Sequence, residues 1–175
     1  MVDGGEQKED ELPLVTITGV NGYLGSHVCL MFLKSGEYRV RGTVRDKENE
    51  RTISTLRHAF EEYYIDLEVV KVELEEHETI AEAIIGSTYV VHTAFSMTPD
   101  PASDEPRYQE EVQKQTQVII EACRASGVKR LVVTGALTNM TEVEPADVVD
   151  TFDEDNWSSP AQLDSMDPFL KAKYT

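Results

Sequence analysis

The sequence predicts a doubly wound α/β domain built on a parallel sheet of five strands in the order 3-2-1-4-5. Short β-branched apolar runs alternate with segments of helical periodicity, which is the pattern of repeated βαβ units. A glycine-rich turn follows the first run directly. The chain has 175 residues, a length typical of one domain, and 40% of them are hydrophobic, which suffices for a core.

Each element is predicted from its local pattern. The apolar runs predicted as strands are Leu14–Thr18, Val40–Val44, Leu67–Val72, Tyr89–Thr93 and Leu131–Thr134. The segments predicted as helices are Gly22–Ser35, Asn49–Tyr63, Glu78–Ile85 and Tyr108–Ser126. In the last helix we expect one buried face, made of Val112, Thr116, Ile119, Ile120 and Cys123.

The two ends of the chain and one internal segment depart from this pattern. Residues 1–11 carry five acids and one lysine, so we expect a disordered acidic tail before a domain that spans residues 12–175. Residues 140–167 are predicted to be an acidic loop or flap, because residues 141–167 hold nine acids and no Lys or Arg. A last helix is predicted near Pro168, and since the chain stops at Thr175 we expect it to end inside this helix.

Charge and composition argue against several classes of protein. With 16 Lys plus Arg and 33 Asp plus Glu, the net charge of −17 repels nucleic acids and anionic membranes, so neither is a predicted partner. There is no apolar run of about 18 residues, so no membrane span is predicted. Cys29 and Cys123 lie in predicted helices, away from any CxxC motif, and predict reduced thiols in a cytoplasmic protein. The histidines lack metal-ligand spacing, so no metal site is predicted.

The sharpest motif is a glycine loop between the first strand and the first helix. Residues 18–25 read TGVNGYLG, with Gly19, Gly22 and Gly25 three residues apart. The first glycine permits a tight turn, the second lets the backbone approach a pyrophosphate, and the third lets the helix pack closely on the sheet. The positive end of the helix attracts phosphate. We predict a dinucleotide site of the Rossmann type; the alternative is a glycine-rich turn without a ligand.

The end of the second strand distinguishes the two nicotinamide dinucleotides. NAD sites usually carry an acid here for the ribose 2′-OH, whereas NADP sites carry an arginine for the 2′-phosphate. This strongly acidic chain places Arg45, Lys47 and Arg51 there. These basic residues predict NADP(H) as the cofactor; the alternative is an ordinary solvated loop.

These motifs resemble the extended short-chain dehydrogenase/reductase family, of the NAD-dependent epimerase/dehydratase type. The similarity is greatest to the branch of dihydroflavonol reductases, cinnamoyl-CoA reductases and 3β-hydroxysteroid dehydrogenases. The segments that carry it are TGVNGYLG at 18–25, GTVRD at 42–46, VVHTAF at 90–95, KRLVVTGA at 129–136 and DEDNW at 153–157. Family members usually continue into a second lobe that supplies most of the substrate pocket, so the resemblance implies that the substrate lobe is largely missing here.

The resemblance implies which residues hold the dinucleotide. Those expected at the pyrophosphate are Gly19, Asn21, Gly22, Tyr23, Leu24 and Gly25. Those expected at the 2′-phosphate are Arg45 and Lys47. Those expected to flank the adenine are Glu73 and Leu74. Those expected on the nicotinamide side are Thr93, Ala94, Phe95 and Lys173.

The catalytic set that the family uses is altered in this chain. The family needs a Tyr-x-x-x-Lys pair, whose tyrosine exchanges the proton, and a serine that polarises the carbonyl. Lys173 matches the lysine, which places Phe169 at the tyrosine, and the serine falls at Ala136. The candidates to replace the serine are Thr134 and Thr138.

Three residues admit a second interpretation. A one-residue shift would place Gly135 at the serine position. Tyr174 would be the missing tyrosine only if its lysine lay beyond the last residue. His92 lies next to the predicted nicotinamide side, and we expect a strand histidine satisfied by the backbone rather than a proton shuttle.

Two functions from different classes follow. The first is an NADP(H)-dependent oxidoreductase of a small carbonyl or alcohol, with a degenerate catalytic set. The second is a non-catalytic NADP(H)-binding sensor or interaction module, and a fragment without its own function is a third interpretation. Members of the family often form homodimers, so a homodimer is one assembly that the resemblance implies.

Overall fold

The computed structural model describes residues 12–96, 104–141, 151–158 and 166–174. The predicted acidic tail lies outside these residues, as do large parts of the predicted acidic flap. The chain divides into two compact units, Met1–Phe95 with Val118–Val133 and Ser96–Gln117 with Thr134–Thr175. Within the described ranges, no helix is long and apolar enough to cross a membrane.

The first unit contains a five-stranded parallel sheet in the order β3-β2-β1-β4-β5, which confirms the predicted topology. Its strands are β1 (Leu14–Thr18), β2 (Arg39–Val44), β3 (Leu67–Lys71), β4 (Tyr89–His92) and β5 (Arg130–Val133). Every boundary lies within one residue of the predicted one. Because parallel strands end at the same edge of a sheet, the residues that follow β1 to β4 lie along one edge.

Helices follow the strands where they were predicted, with the addition of the short α5, and the ends of α1 and α2 are marked by local chemistry. The helices are α1 (Tyr23–Ser35), α2 (Glu50–Phe60), α3 (His77–Ile84), α4 (Glu105–Ala125), α5 (Thr138–Thr141) and α6 (Pro168–Tyr174). Gly36 ends α1 in the left-handed conformation, and its amide donates to the carbonyl of Leu33. Asn49 begins α2, because its side chain accepts a hydrogen bond from the amide of Thr52.

Apolar clusters cover both faces of the sheet in the first unit. On one face, side chains of α1 and α2 such as Cys29 and Phe60 pack against Ile17 of β1. On the other face, α3 and the end of α4 pack against Val90 of β4. All five residues of β1 are buried, as expected of a central strand that is covered on both sides. Both cysteines are free and buried, and burial raises the pKa of the Cys29 thiol to about 12.

Two helix predictions are corrected by the structure. The predicted helix Asn49–Tyr63 ends at Phe60, and a 3₁₀ helix (Glu61–Asp66) follows, because Glu61 takes a positive φ of 49° that interrupts the α-helical turn. The prediction that Ile120 lies on the buried face of α4 is wrong, since it is 42% exposed while Gln115 is buried at 4%.

Polar contacts hold α6 within the second unit. The Nζ of Lys171 lies 2.8 Å from a carboxylate oxygen of Glu105, at the start of α4. The hydroxyl of Tyr174 donates to the carbonyl of Ser158 at 2.8 Å, and the amide of Ser158 donates to the carbonyl of Asn139 in the short helix α5. The acidic stretch around Ser158, predicted to be a loop, is therefore tied to both short helices.

Gly42 of β2 provides space for the residue that follows the first glycine of the loop. A Cβ at Gly42 would lie 2.8 Å from both γ-carbons of Val20, which is fully buried. Real Cβ atoms essentially never approach a neighbour this closely, and the buried Val20 has little room to move. The packing of the loop against β2 therefore requires a glycine at this position.

We expect Gly42→Ala to lower the free energy of unfolding by about 1–3 kcal/mol, because the added methyl group overpacks the core. Urea denaturation measures this change. The matched control is Gly135→Ala, whose Cβ would meet no atom of the described residues within 4 Å and which we expect to stay within about 0.5 kcal/mol of the parent. Adding Val20→Ala should recover part of the loss, and purely additive losses would contradict this account.

Candidate functional site

The glycine loop (residues 19–25) connects β1 to α1 at the carboxyl edge of the sheet. Gly19 has a φ of +74°, a conformation that side chains rarely adopt. A Cβ on this glycine would lie 3.1 Å from the Cα and Cβ of Ala94, so the loop runs directly against the chain that follows β4. The amide of Gly22 donates to the carbonyl of Gly19 at 2.9 Å and closes the turn.

Gly25 allows α1 to start close to the sheet. It is buried, and a Cβ here would overlap the carbonyl oxygen of Gly19 and lie 2.7 Å from the Oγ1 of Thr93. The third glycine therefore fills the close-packing role that the motif predicts.

The amino end of α1 is open. Its N-cap, Gly22, offers no side-chain acceptor, and the first turn contains no acid. Asn21 is exposed, as are Tyr23 and Leu24 at 85% and 46%. The first amides of a helix have no partner within the helix, so this end presents donors and a positive dipole.

Thr18, the last residue of β1, joins the loop to the chain that follows β4. Its Oγ1 accepts hydrogen bonds from the amides of Thr93 and Ala94, both at 3.1 Å. In return, the hydroxyl of Thr93 donates to the carbonyl of Thr18 at 2.5 Å. The Nδ1 of His92 lies 2.7 Å from the same Thr18 hydroxyl. The ends of β1 and β4 are thus held by side-chain bonds in both directions.

A second threonine ties the loop to the end of β2. The amide of Gly19 donates to the Oγ1 of Thr43, and the amide of Val20 donates to its carbonyl, both at 3.1 Å. Arg45 and Lys47 follow this threonine and are exposed. The basic residues therefore stand next to an anchored part of the glycine loop.

The residues predicted to flank an adenine follow β3. A carboxylate oxygen of Glu73 lies 2.6 Å from the Nζ of Lys71, and this hydrogen bond and the negative charge of Glu73 raise the pKa of Lys71. The amide of Glu73 donates to the Oγ1 of Thr79, which fixes the turn into α3. Leu74 is half-buried and packs against the second core cluster.

The second unit contains the predicted catalytic positions. Phe169 and Lys173 lie four residues apart on α6, and the Nζ of Lys173 is 5.9 Å from the centroid of the Phe169 ring. Burial lowers the pKa of Lys173. The side-chain amide of Asn139 donates to the carbonyl of Lys173 at 3.4 Å.

The remaining predicted positions follow β4 and β5. Phe95 and Ala136 are half-buried, and Thr134 is exposed. Thr138 is the first residue of α5. In the ranges that the structure covers, no group of three His, Cys, Asp or Glu side chains is placed to hold a metal ion.

Sequence reasoning missed the roles of Thr18 and Thr43. Both are buried polar residues within strands, and buried polar groups are nearly always hydrogen-bonded, which was the available signal. The expectation that the backbone satisfies His92 is wrong for Nδ1, whose partner is the Thr18 side chain. That partner is 74 residues away in the sequence, so no local pattern reveals it.

A glycine loop of this geometry on a parallel sheet of order 3-2-1-4-5 defines a Rossmann-type dinucleotide-binding fold. Residues 15–174 match the NAD dependent epimerase/dehydratase family. This match covers most of the chain, and the chain therefore belongs to that family.

Known relatives agree with this assignment. A dihydroflavonol 4-reductase of Hordeum vulgare is 35% identical over 149 residues, which are 82% of this chain and 40% of that protein. Cinnamoyl-CoA reductase 1 of Petunia hybrida is 30% identical over 149 residues, which are 84% of this chain and 42% of that protein. The crystal structure of vestitone reductase from alfalfa (Medicago sativa L.) is 25% identical with a TM-score of 0.70, over 92% of this chain and 49% of that one. The predicted resemblance to dihydroflavonol and cinnamoyl-CoA reductases is confirmed, and the chain spans less than half the length of these relatives.

Gly25→Ala should lower the free energy of unfolding by about 1–3 kcal/mol or more, because its methyl group has no space. A loss of stability would indicate the close contact, since Gly→Ala inside a helix normally stabilises a protein by about 1 kcal/mol. Urea denaturation gives the value, with Ser26→Ala on the same turn of α1 as the control. A Gly25→Ala variant that is more stable than the parent would show that the loop and the end of β4 are not in close contact.

Proposed function

We propose that this chain is an NADP(H)-binding domain of the short-chain dehydrogenase/reductase type with a degenerate catalytic set. The observation that carries the proposal is the close contact of the glycine loop with the chain after β4, for which Gly25 leaves the space. In folds of this class, such a loop lets the backbone reach a pyrophosphate. The boundaries of this domain, residues 12–175, belong to the same proposal.

The donors at the carboxyl edge fit a dinucleotide phosphate. The uncapped amino end of α1 contains no acid that would repel an anion. The loop amides, including those of Tyr23 and Leu24, would bind the pyrophosphate, with Asn21 at its rim. Arg45 would bind a 2′-phosphate through charge-assisted hydrogen bonds, with Lys47 as a second cation.

The other strand ends support the rest of the cofactor. Glu73 would accept a hydrogen bond from the adenine amino group while Lys71 holds its carboxylate, and Leu74 would contact the adenine ring. On the opposite side of the loop, the segment from Thr93 to Phe95 would line the nicotinamide.

The chain's own residues limit the chemistry. When bound, the nicotinamide supplies or accepts a hydride. Lys173 provides the ammonium group that would hold the nicotinamide ribose. In contrast, Phe169 has no exchangeable proton and Ala136 has no side-chain donor. Loss of a positioned acid costs ~10²–10⁴ in rate. Loss of a polarising donor costs ~10²–10³, and the two effects do not add.

A non-catalytic sensor or interaction module is the second candidate function. It is favoured by the Phe169 ring beside the Lys173 ammonium, where the family has a tyrosine hydroxyl. It is also favoured by the hydroxyl of Tyr174, whose proton is engaged by the carbonyl of Ser158. A small carbonyl or alcohol substrate belongs to the first candidate. The free, buried cysteines support a cytoplasmic location. This location and a homodimer are compatible with both candidate functions.

Arg45→Ala should weaken NADPH binding by ~10–100-fold and leave NADH binding unchanged, because a hydrogen bond to a charged group contributes about 1.5–3 kcal/mol. Parallel calorimetric titrations with NADPH and NADH measure both affinities. The matched control is Arg39→Ala, which removes the same charge from the exposed opposite end of β2. Equal losses in the two variants would mean that only long-range charge matters, and binding of neither dinucleotide to the parent would overturn the proposal.

Restoring the two missing groups separates the candidate functions. We expect Phe169→Tyr combined with Ala136→Ser to raise NADPH oxidation by ~10²–10⁴, with a dihydroflavonol or cinnamoyl-CoA as substrate, because both proton-handling groups return. Phe169→Leu is the control, since it removes the ring without adding a hydroxyl. If the double variant stays at background while NADPH still binds, the sensor or interaction module is the better account.

A further inference from the structure

His92 is a buried polar residue that the functions above do not use. It ends β4 and is 8% exposed. Its neighbours in register are Thr18 on β1 and Val133 on β5. The 2.7 Å contact between its Nδ1 and the Oγ1 of Thr18 is compatible with either atom as the donor, so the distance alone does not identify the tautomer.

The other bonds of Thr18 decide this question. A threonine hydroxyl has one proton to donate and two lone pairs to accept with. Both lone pairs are used, because the amides of Thr93 and Ala94 donate to the Oγ1 at 3.1 Å each. A backbone amide cannot reverse its role, so the hydroxyl is left with its proton, and the Nδ1 of His92 is the acceptor within reach.

We propose that His92 is a positioning residue that acts through Thr18. Its ring is neutral with the proton on Nε2, and Nδ1 accepts the Thr18 hydroxyl proton. This bond sets the hydroxyl rotor so that both lone pairs face the two amides that follow the ring. A histidine protonated on Nδ1 would instead compete with these amides for the same oxygen.

The consequence reaches the nicotinamide side of the site. The two amides belong to Thr93 and Ala94, and Ala94 is the residue that a Cβ on the first glycine of the loop would meet at 3.1 Å. The ring of His92 thus orders the contact between the loop and β4 without touching a ligand itself. This role rests on the proposed dinucleotide site, whereas the tautomer assignment does not.

The tautomer is tested first, in the unliganded parent chain. Nitrogen chemical shifts of protein labelled with ¹⁵N-histidine distinguish a protonated from an unprotonated ring nitrogen. The chain has four histidines, and the signals that disappear in His92→Asn belong to His92. We expect Nδ1 in the unprotonated range and Nε2 in the protonated range at neutral pH. A proton on Nδ1, in either the neutral or the charged ring, overturns the proposal.

The positioning role is tested by NADPH affinity in variants. His92→Leu and Thr18→Val should each weaken binding by ~3–10-fold, the value of one hydrogen bond, and their combination should weaken it no further. His92→Asn keeps an acceptor near the position of Nδ1 and should restore most of the affinity. A merely structural role would give losses that add and that asparagine does not rescue.

The outcomes separate this inference from the function on which it rests. Additive losses with normal NADPH binding to the parent overturn the positioning role and leave the proposed function intact. Failure of the parent to bind NADPH overturns the proposed function and with it the positioning role, while the nitrogen shifts still decide the tautomer. Where His92→Leu or Thr18→Val does not fold, His92→Asn supplies the affinity test: NADPH affinity close to that of the parent supports the positioning role, and a loss as large as that expected for His92→Leu overturns it.

Discussion

The contact between the glycine loop and the chain after β4 is the constraint on which the carboxyl edge depends. Gly25 has no room for a side chain, and a Cβ on Gly19 would lie only 3.1 Å from Ala94, so the start of α1 lies close to the sheet. The hydroxyl of Thr43 then attaches the loop to β2, and the hydroxyl of Thr18 attaches the end of β1 to the chain that follows β4. The proposed pyrophosphate site follows from backbone amides that these contacts hold in place.

Binding and catalysis place different demands on this chain. The proposed phosphate site uses amides and a helix end, which any sequence retains as long as the glycines allow the turn. Proton transfer needs particular side-chain atoms, and a phenylalanine at the position that we propose for the family's tyrosine, Phe169, supplies none of them. A chain of this family can therefore lose proton-transfer groups and keep its dinucleotide site, and the dinucleotide site is what both candidate functions share.

Much of the fold was predictable, because β-branched runs and glycine-marked helix ends are local signals. The end of α2 was not predictable, because the residue with positive φ is Glu61 rather than a glycine. The buried Phe60 just before it also continues the apolar pattern of the helix. Ile120 shows the same limit, because apolar character does not tell which side of a helix faces the sheet. The polar contacts of Thr18 with His92 join residues that are distant in sequence, so they emerge only from the pairing of β1 with β4.

These separations have a consequence for the order in which the chain folds. The loop bonds to Thr43, which is 24 residues from Gly19, and the end of β1 just before the loop bonds to Thr93, which is 75 residues from Thr18. The loop therefore acquires its native shape only after three strands have assembled, although β1 and α1 are neighbours in sequence. An incompletely folded chain would have a glycine turn without affinity for the proposed dinucleotide. A ligand that binds only the folded loop would therefore stabilise the whole assembled sheet.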